Sequence, residues 1–151
     1  MEEQIAYLDS SSVVKRYVEE PGSNIVREIY LKAYSGELII AFSSWNIGEV
    51  LGAFDKAYSR GILDHENFSI SKKRFLLETR RLARLGVLRL IPVRFKLLAE
   101  CWALLEKYHV YQADALQIAS AKAVNAVKFF TGDKGVCKIA EAEGLNTVLT
   151  M

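Results

Sequence analysis

The sequence predicts an α/β fold, with three layers in α/β/α order around a central parallel sheet of four to five strands. Three observations predict it. Short apolar runs alternate with longer amphipathic stretches along the whole chain. The short runs are continuously apolar, as in strands buried on both faces, and do not alternate as in a sheet wetted on one side. Serine, glycine, proline or aspartate stand at the junctions between them.

The first strand is Ile5-Ala6-Tyr7-Leu8, which stops at the polar, cap-rich Asp9-Ser10-Ser11-Ser12. A helix then runs to about Val18 and ends before Pro21-Gly22. Ser23 is positioned to cap a second helix, in which Ile25, Val26, Ile29 and Tyr30 recur at helical spacing. Leu38 to Phe42 is the second strand. Ser43 or Ser44 caps a helix over Trp45 to Ser59, and another covers Asn67 to Leu85 until Gly86 stops it. Val87 to Val93 reads as the third strand. Helices follow over Phe95 to Tyr108, with the stripe Leu97, Leu98, Cys101, Leu104 and Leu105, and over Gln112 to Val124. Asn125 is suited to a left-handed ending. Val127 to Thr131 is the fourth strand, the turn Gly132-Asp133-Lys134-Gly135 opens a short helix ending at Gly144, and Asn146 to Leu149 is the last strand.

A chain of 151 residues suits a single domain over 1–151, and with 51% hydrophobic residues it can bury a sizeable core. A net charge of +2 is too small to name a partner, so any charge argument must be local. Cys101 and Cys137 stand far apart, and neither they nor His65 and His109 have the spacing of a zinc site; the cysteines read as reduced thiols. Met1-Glu2-Glu3 is unlike a secretory leader, and no run approaches the roughly 18–20 apolar residues of a membrane span, so a soluble, cytoplasmic protein is expected.

The chemistry lies in the placing of four acids. Asp9 follows strand one directly, and Asp133 follows strand four by two residues. In a parallel sheet all carboxyl ends share one edge, where ligand sites form. Glu49 lies about one and a half turns into the helix after strand two, among apolar neighbours. Asp114 lies in the first turn of the Gln112 helix. If both helices begin at that edge, four carboxylates converge. Converging charges repel, and a hard cation such as Mg²⁺ or Mn²⁺, held by oxygen ligands, offsets the repulsion. Such an ion activates water and stabilises charge on a phosphate, which points to phosphodiester hydrolysis. Each acid also has an ordinary role: Asp9 a helix cap, Asp114 a partner of its helix dipole, Asp133 a turn residue, Glu49 a member of a solvated face.

At these residues the chain resembles the PIN-domain family, closest to the VapC-type ribonuclease toxins of toxin–antitoxin pairs. The resemblance rests on Tyr7-Leu8-Asp9-Ser10-Ser11 with Val14-Lys15-Arg16-Tyr17, Ser43-Ser44 through Glu49-Val50, Asp114-Ala115-Leu116-Gln117-Ile118-Ala119-Ser120-Ala121, and Thr131-Gly132-Asp133, in that order. It implies a PIN-like fold and a metal-dependent endoribonuclease using Mg²⁺ or Mn²⁺, with Asp9, Glu49, Asp114 and Asp133 as catalytic, metal-binding acids. Ser10 and Thr131 match positions that support or orient such a site. Ser12 and Asn125 stand where alanine and glycine are more usual. A homodimer and a cognate antitoxin that blocks the site are further implications, and the family also includes RNA-processing and decay nucleases.

Between Lys72 and Lys96 nine basic residues (Lys72, Lys73, Arg74, Arg80, Arg81, Arg84, Arg89, Arg94 and Lys96) face one acid, Glu78. This suits either a polyanion-holding surface or a solvated helix face. Lys15 and Arg16, just past Asp9, are RNA-contact candidates. Tyr17, Tyr30, Tyr34, Phe54 and Tyr58 read as core aromatics or as the lining of a dimer or antitoxin groove. A phosphoacceptor receiver domain would need an adjacent acidic pair after strand one and an aspartate after the central strand. Here Asp9 is followed by serines and strand three ends at Val93-Arg94. A non-catalytic PIN-like module that binds RNA or a protein is the other alternative.

Overall fold

The computed structural model describes residues 3–151; Met1 and Glu2 of the acidic opening lie outside the described residues. The elements are β1 (Ile5–Leu8), α1 (Ser10–Val14), α2 (Ser23–Tyr34), β2 (Ile39–Ser43), α3 (Trp45–Ser59), α4 (His65–Arg84), β3 (Leu88–Ile91), α5 (Phe95–Tyr108), α6 (Gln112–Ala123), β4 (Lys128–Thr131), α7 (Lys134–Ala142) and β5 (Thr147–Leu149). The strands form one sheet in the order β3-β2-β1-β4-β5, every neighbouring pair parallel.

This order places the site. The chain steps from β1 through β2 to β3 in one direction, then crosses back over to β4 on the other side of β1. Right-handed crossovers put the connections of the two halves on opposite faces. The packing agrees. Tyr17 and helices α2, α3 and α4 are joined by edge-to-face contacts among Tyr17, Tyr30, Phe54 and Phe75. On the other side Tyr7 stacks on Phe129 and its hydroxyl reaches Gln117 of α6. The reversal falls between β1 and β4, the position where open parallel sheets bind ligands.

β1 and β4 are buried on both faces, as their unbroken apolar runs require; only Lys128 of the two is exposed. β3 is an edge strand and exposes Arg89 and Leu90, so its apolar run is not wholly interior. Three local expectations shift. The first helix ends at Val14 and continues to Val18 as turns. Ser23 is the first residue of α2 and not its cap; its hydroxyl accepts from the Glu20 N–H, and Gly22 caps the helix at φ 95°. Ser44 is the N-cap of α3, but the hydroxyl that receives the Trp45 N–H belongs to Ser43. Asn125 does adopt φ 52° after α6. Both cysteines are free, Cys101 buried and Cys137 half-buried. Among the described residues no helix is long and apolar enough to cross a membrane.

The layer of α5, α6 and α7 is pinned by one carboxylate. Glu143 accepts from the Tyr108 hydroxyl (2.6 Å), the Lys122 ammonium (2.9 Å) and the Lys107 ammonium (3.1 Å). The Tyr108 hydroxyl first, then Lys122, draw its carboxyl down to about 2. A carboxylate lowered on folding contributes stability that is complete above its unfolded value and lost as pH falls through the folded one. Denaturant titrations from about pH 5 to pH 2 are therefore expected to show a flatter loss of stability in Glu143→Gln than in the wild type. Two glycines are expected to respond in opposite directions. A Cβ on Gly22 would lie 2.4 Å from the Thr150 carbonyl oxygen at positive φ, so Gly22→Ala should cost about 2 kcal/mol or more in urea unfolding. Gly52, exposed on α3 with open space around its Cα, should gain about 0.4–1 kcal/mol as Ala.

Candidate metal and active site

The register of β1 and β4 sets the first carboxylate. Leu8 pairs with Phe130, and the Asp9 N–H extends the ladder to the Phe130 carbonyl (3.0 Å). Asp9 therefore stands beside Thr131, whose hydroxyl donates to Asp9 Oδ2. Side chains alternate along a strand, so Asp9 shares the face of Tyr7, the face covered by α6. Its other oxygen, Oδ1, accepts from the Ser11 hydroxyl (2.6 Å) and the Ser12 N–H (3.0 Å), which makes Asp9 the N-cap of α1 as well. Asp9 is only 5% exposed. Burial pushes its carboxyl up, and the Ser11 and Thr131 hydroxyls and the Ser12 N–H oppose that rise.

Asp133 caps α7. Its Oδ1 accepts from the N–H groups of Gly135 (2.8 Å) and Val136 (3.0 Å), and Oδ2 makes no hydrogen bond among the described residues. Between the two acids, the Ser11 hydroxyl accepts from the Gly132 N–H (2.8 Å), tying the β4 turn to the start of α1. Glu49 is held in the same one-sided way: Ser10 donates to Oε1 at 2.7 Å, and Oε2 makes no hydrogen bond among the described residues. Asp114, in the first turn of α6, accepts no hydrogen bond from any described residue. Burial pushes its carboxyl up, and the charges of Asp133 and Glu49 add to the rise. Asp114 thus lies within electrostatic reach of Asp133 and Glu49, which stand on two other elements.

No basic side chain is paired with any of the four acids among the described residues. Nor does any group of three or more His, Cys, Asp or Glu side chains stand, among those residues, at ligating distance around a single point. Asp114 lies near enough to Asp133 and Glu49 to feel their charges, and these acids do not close on a common point, as like charges lacking a counter-ion should not. The donor set is oxygen only, with Glu49 Oε2, Asp133 Oδ2 and the whole Asp114 carboxylate uncommitted. It fits a hard divalent cation.

Ser10 and Thr131 stand where they were expected, each bonded to one acid. Lys15 and Arg16 are engaged inside the protein. The Lys15 ammonium donates to the Pro21 carbonyl (2.9 Å) and to Glu20 (3.2 Å). Arg16 forms a two-pronged pair with Glu78, both distances 2.9 Å, and stacks over Tyr30. Of the aromatic set, Tyr17, Tyr30 and Phe54 are core, while Tyr34 and Tyr58 are partly exposed. Three polar residues beside the site escaped the sequence reading: Tyr7, Asn46 and Gln117, all buried and bonded to one another or to Glu49. Asn46 and Gln117 each precede or follow a site acid by three residues, one helical turn, which is the signal that locates them.

Comparison with known proteins agrees with this fold. No protein of curated function matches the sequence. Among solved structures, VapC20 of Mycobacterium tuberculosis, a toxin that cleaves the sarcin-ricin loop, superposes with a TM-score of 0.65 at 16% identity, covering 95% of this chain and 98% of that one. FitAcB of Neisseria gonorrhoeae gives 0.62 at 14% identity, over 94% and 95%. PAE2754 of Pyrobaculum aerophilum gives 0.59 at 16%, over 97% and 92%. These likenesses establish the fold. The family model for the PIN domain matches residues 6–142, a span that takes in four of the five strands, the helices and the four acids, and the chain therefore belongs to the PIN-domain family.

Proposed function

We propose that this chain is a Mg²⁺- or Mn²⁺-dependent endoribonuclease, folded as one domain, that hydrolyses RNA phosphodiester bonds as the toxin of a toxin–antitoxin pair. Membership of the PIN-domain family supports a nuclease, and the likeness to VapC20, itself an RNA-cleaving toxin, supports the toxin role. The observation that carries the reading is Asp114. It is a half-buried carboxylate with no hydrogen bond and no cation among the described residues, raised by burial and by the charges of Asp133 and Glu49. An arrangement that costs stability and serves no packing role is what a metal site looks like without its ion.

A bound divalent ion supplies an activated water and neutralises phosphate charge. The protein's part is to present its ligands. Asp114, Asp9, Glu49 and Asp133 are the proposed metal-binding and catalytic acids. Thr131 and Ser11 hold Asp9, and Ser10 holds Glu49 by one oxygen so that the other is available. The exposed bases of α4, Lys72, Lys73, Arg74, Arg80, Arg81 and Arg84, supply positive surface for a polyanion. Lys15 and Arg16 take part in RNA contact only if they exchange their internal partners for phosphate. A cognate antitoxin that covers the site, a homodimer and a cytoplasmic location belong to the same reading.

Asp114→Asn and Asp9→Asn are each expected to lower RNA cleavage by more than about 100-fold while the circular dichroism spectrum stays that of the wild type. Excess EDTA should abolish wild-type cleavage, with Mn²⁺ or Mg²⁺ restoring it. Full activity in either variant or in EDTA contradicts the proposal. Stability gives an independent readout. A carboxylate raised on folding costs stability that builds as pH rises above its unfolded value and is complete above its folded one. Asp114→Asn should therefore flatten the loss of stability of the ion-free protein on that side, and melting should show a smaller Mn²⁺-induced rise in Tm than in the wild type.

A further inference from the structure

The hydrogen bonds leading to Glu49 have a fixed direction. The main-chain N–H of Ser43 donates to the Tyr7 phenol oxygen (3.3 Å), and the phenol donates its own proton to Gln117 Oε1 (2.7 Å). With its oxygen taken, Gln117 presents Nε2 to two acceptors, Asn46 Oδ1 at 2.7 Å and Glu49 Oε1 at 3.5 Å. Asn46 is oriented from the other side, because its amide nitrogen donates to the Leu8 carbonyl (3.3 Å) and leaves only its oxygen to face Gln117. A carbonyl cannot donate and a main-chain N–H cannot accept. Rotating either amide by half a turn would set acceptor against acceptor and donor against donor. The backbones of β1 and β2 therefore dictate that a Gln117 N–H faces Glu49.

The three side chains are deeply buried: Tyr7 and Asn46 are 0% exposed and Gln117 4%. Burying two amides and a phenol gives little net stability over apolar residues of the same size. What the network does achieve is alignment. Asn46 lies three residues before Glu49 on α3, Gln117 three residues after Asp114 on α6, and Leu8 immediately before Asp9. One chain of hydrogen bonds thus links the strand and both helices that carry three of the four acids. It meets Glu49 at Oε1, the oxygen already bonded to Ser10, and leaves Oε2 free.

We propose that Gln117, oriented by Tyr7 and Asn46, is a positioning residue that holds Glu49 for metal binding. The inference rests on the metal-dependent reading above. It is tested by calorimetric titration of purified protein with Mn²⁺, alongside RNA cleavage at saturating Mn²⁺. Gln117→Leu should weaken Mn²⁺ affinity about 10–100-fold and lower kcat with little change in KM for RNA. In a Glu49→Ala background, where nothing remains to be positioned, Gln117→Leu should cause no further loss of Mn²⁺ affinity. Tyr7→Phe, which releases the Gln117 amide while keeping the ring, should act in the same direction more weakly; it carries the test if Gln117→Leu fails to fold. Equal losses in both backgrounds would show a merely structural role and overturn the proposal. So would wild-type Mn²⁺ affinity in the single variants. Wild-type protein that binds no Mn²⁺ would overturn the metal reading and the inference together, whereas normal binding insensitive to Gln117 overturns the inference alone.

Discussion

Asp9 meets Thr131 across the β1–β4 pair, at the point where the strand order reverses. Helices before the reversal cover one face of the sheet and helices after it cover the other, so only at this junction can acids from both halves of the chain approach. The ladder bond from the Asp9 N–H to Phe130 and the bond from the Gly132 N–H to Ser11 hold the two strand ends together. A slip of one residue between β1 and β4 would turn Asp9 to the opposite face, away from α6 and Asp114.

The ordinary roles of these acids are compatible with the proposed chemical ones because a carboxylate has two oxygens. Asp133 caps α7 through Oδ1 and keeps Oδ2 uncommitted. Glu49 is anchored through Oε1 alone. Asp9 is both the cap of α1 and the most enclosed of the four. Anchoring of this kind would lower the entropy lost on gathering the acids around the proposed ion, since the side chains are already restricted. Asp114 has no anchor, and there the repulsion collects.

The positive charges sort by the same local logic. Glu78, the single acid of the basic segment, accepts from Arg16, Tyr17 and Tyr34 at once. Arg16 and the Tyr34 and Tyr17 hydroxyls pull its carboxyl down against the opposing effect of burial. Arg16 is thereby part of the packing between the start of the chain and α4. The remaining bases of α4 face solvent. Adjacency to Asp9 in the sequence pointed to Lys15 and Arg16, but Lys15 is taken up by Glu20 and the Pro21 carbonyl close by, and Arg16 by Glu78, sixty-two positions away.

The order of apolar runs and polar junctions by itself determined the class of fold, because a continuously apolar four-residue run has few options but a strand buried on both faces. Element limits followed to within a few residues wherever the junction chemistry was unambiguous: Trp45–Ser59 and Phe95–Tyr108 were legible outright. Ser23 was not, since a serine offers the same hydroxyl to a cap or to the preceding loop, and in the fold it goes to the loop, to the Glu20 N–H and the Val18 carbonyl. The acids at strand ends, Asp9 and Asp133, were readable from topology alone. Glu49 and Asp114 needed the crossover, which brings the first turns of α3 and α6 to one edge from opposite faces. The network of Tyr7, Asn46 and Gln117 belongs wholly to the tertiary structure. Its partners lie up to 110 residues apart, and the direction of its hydrogen bonds is imposed by backbone groups that acquire positions only when the sheet has formed.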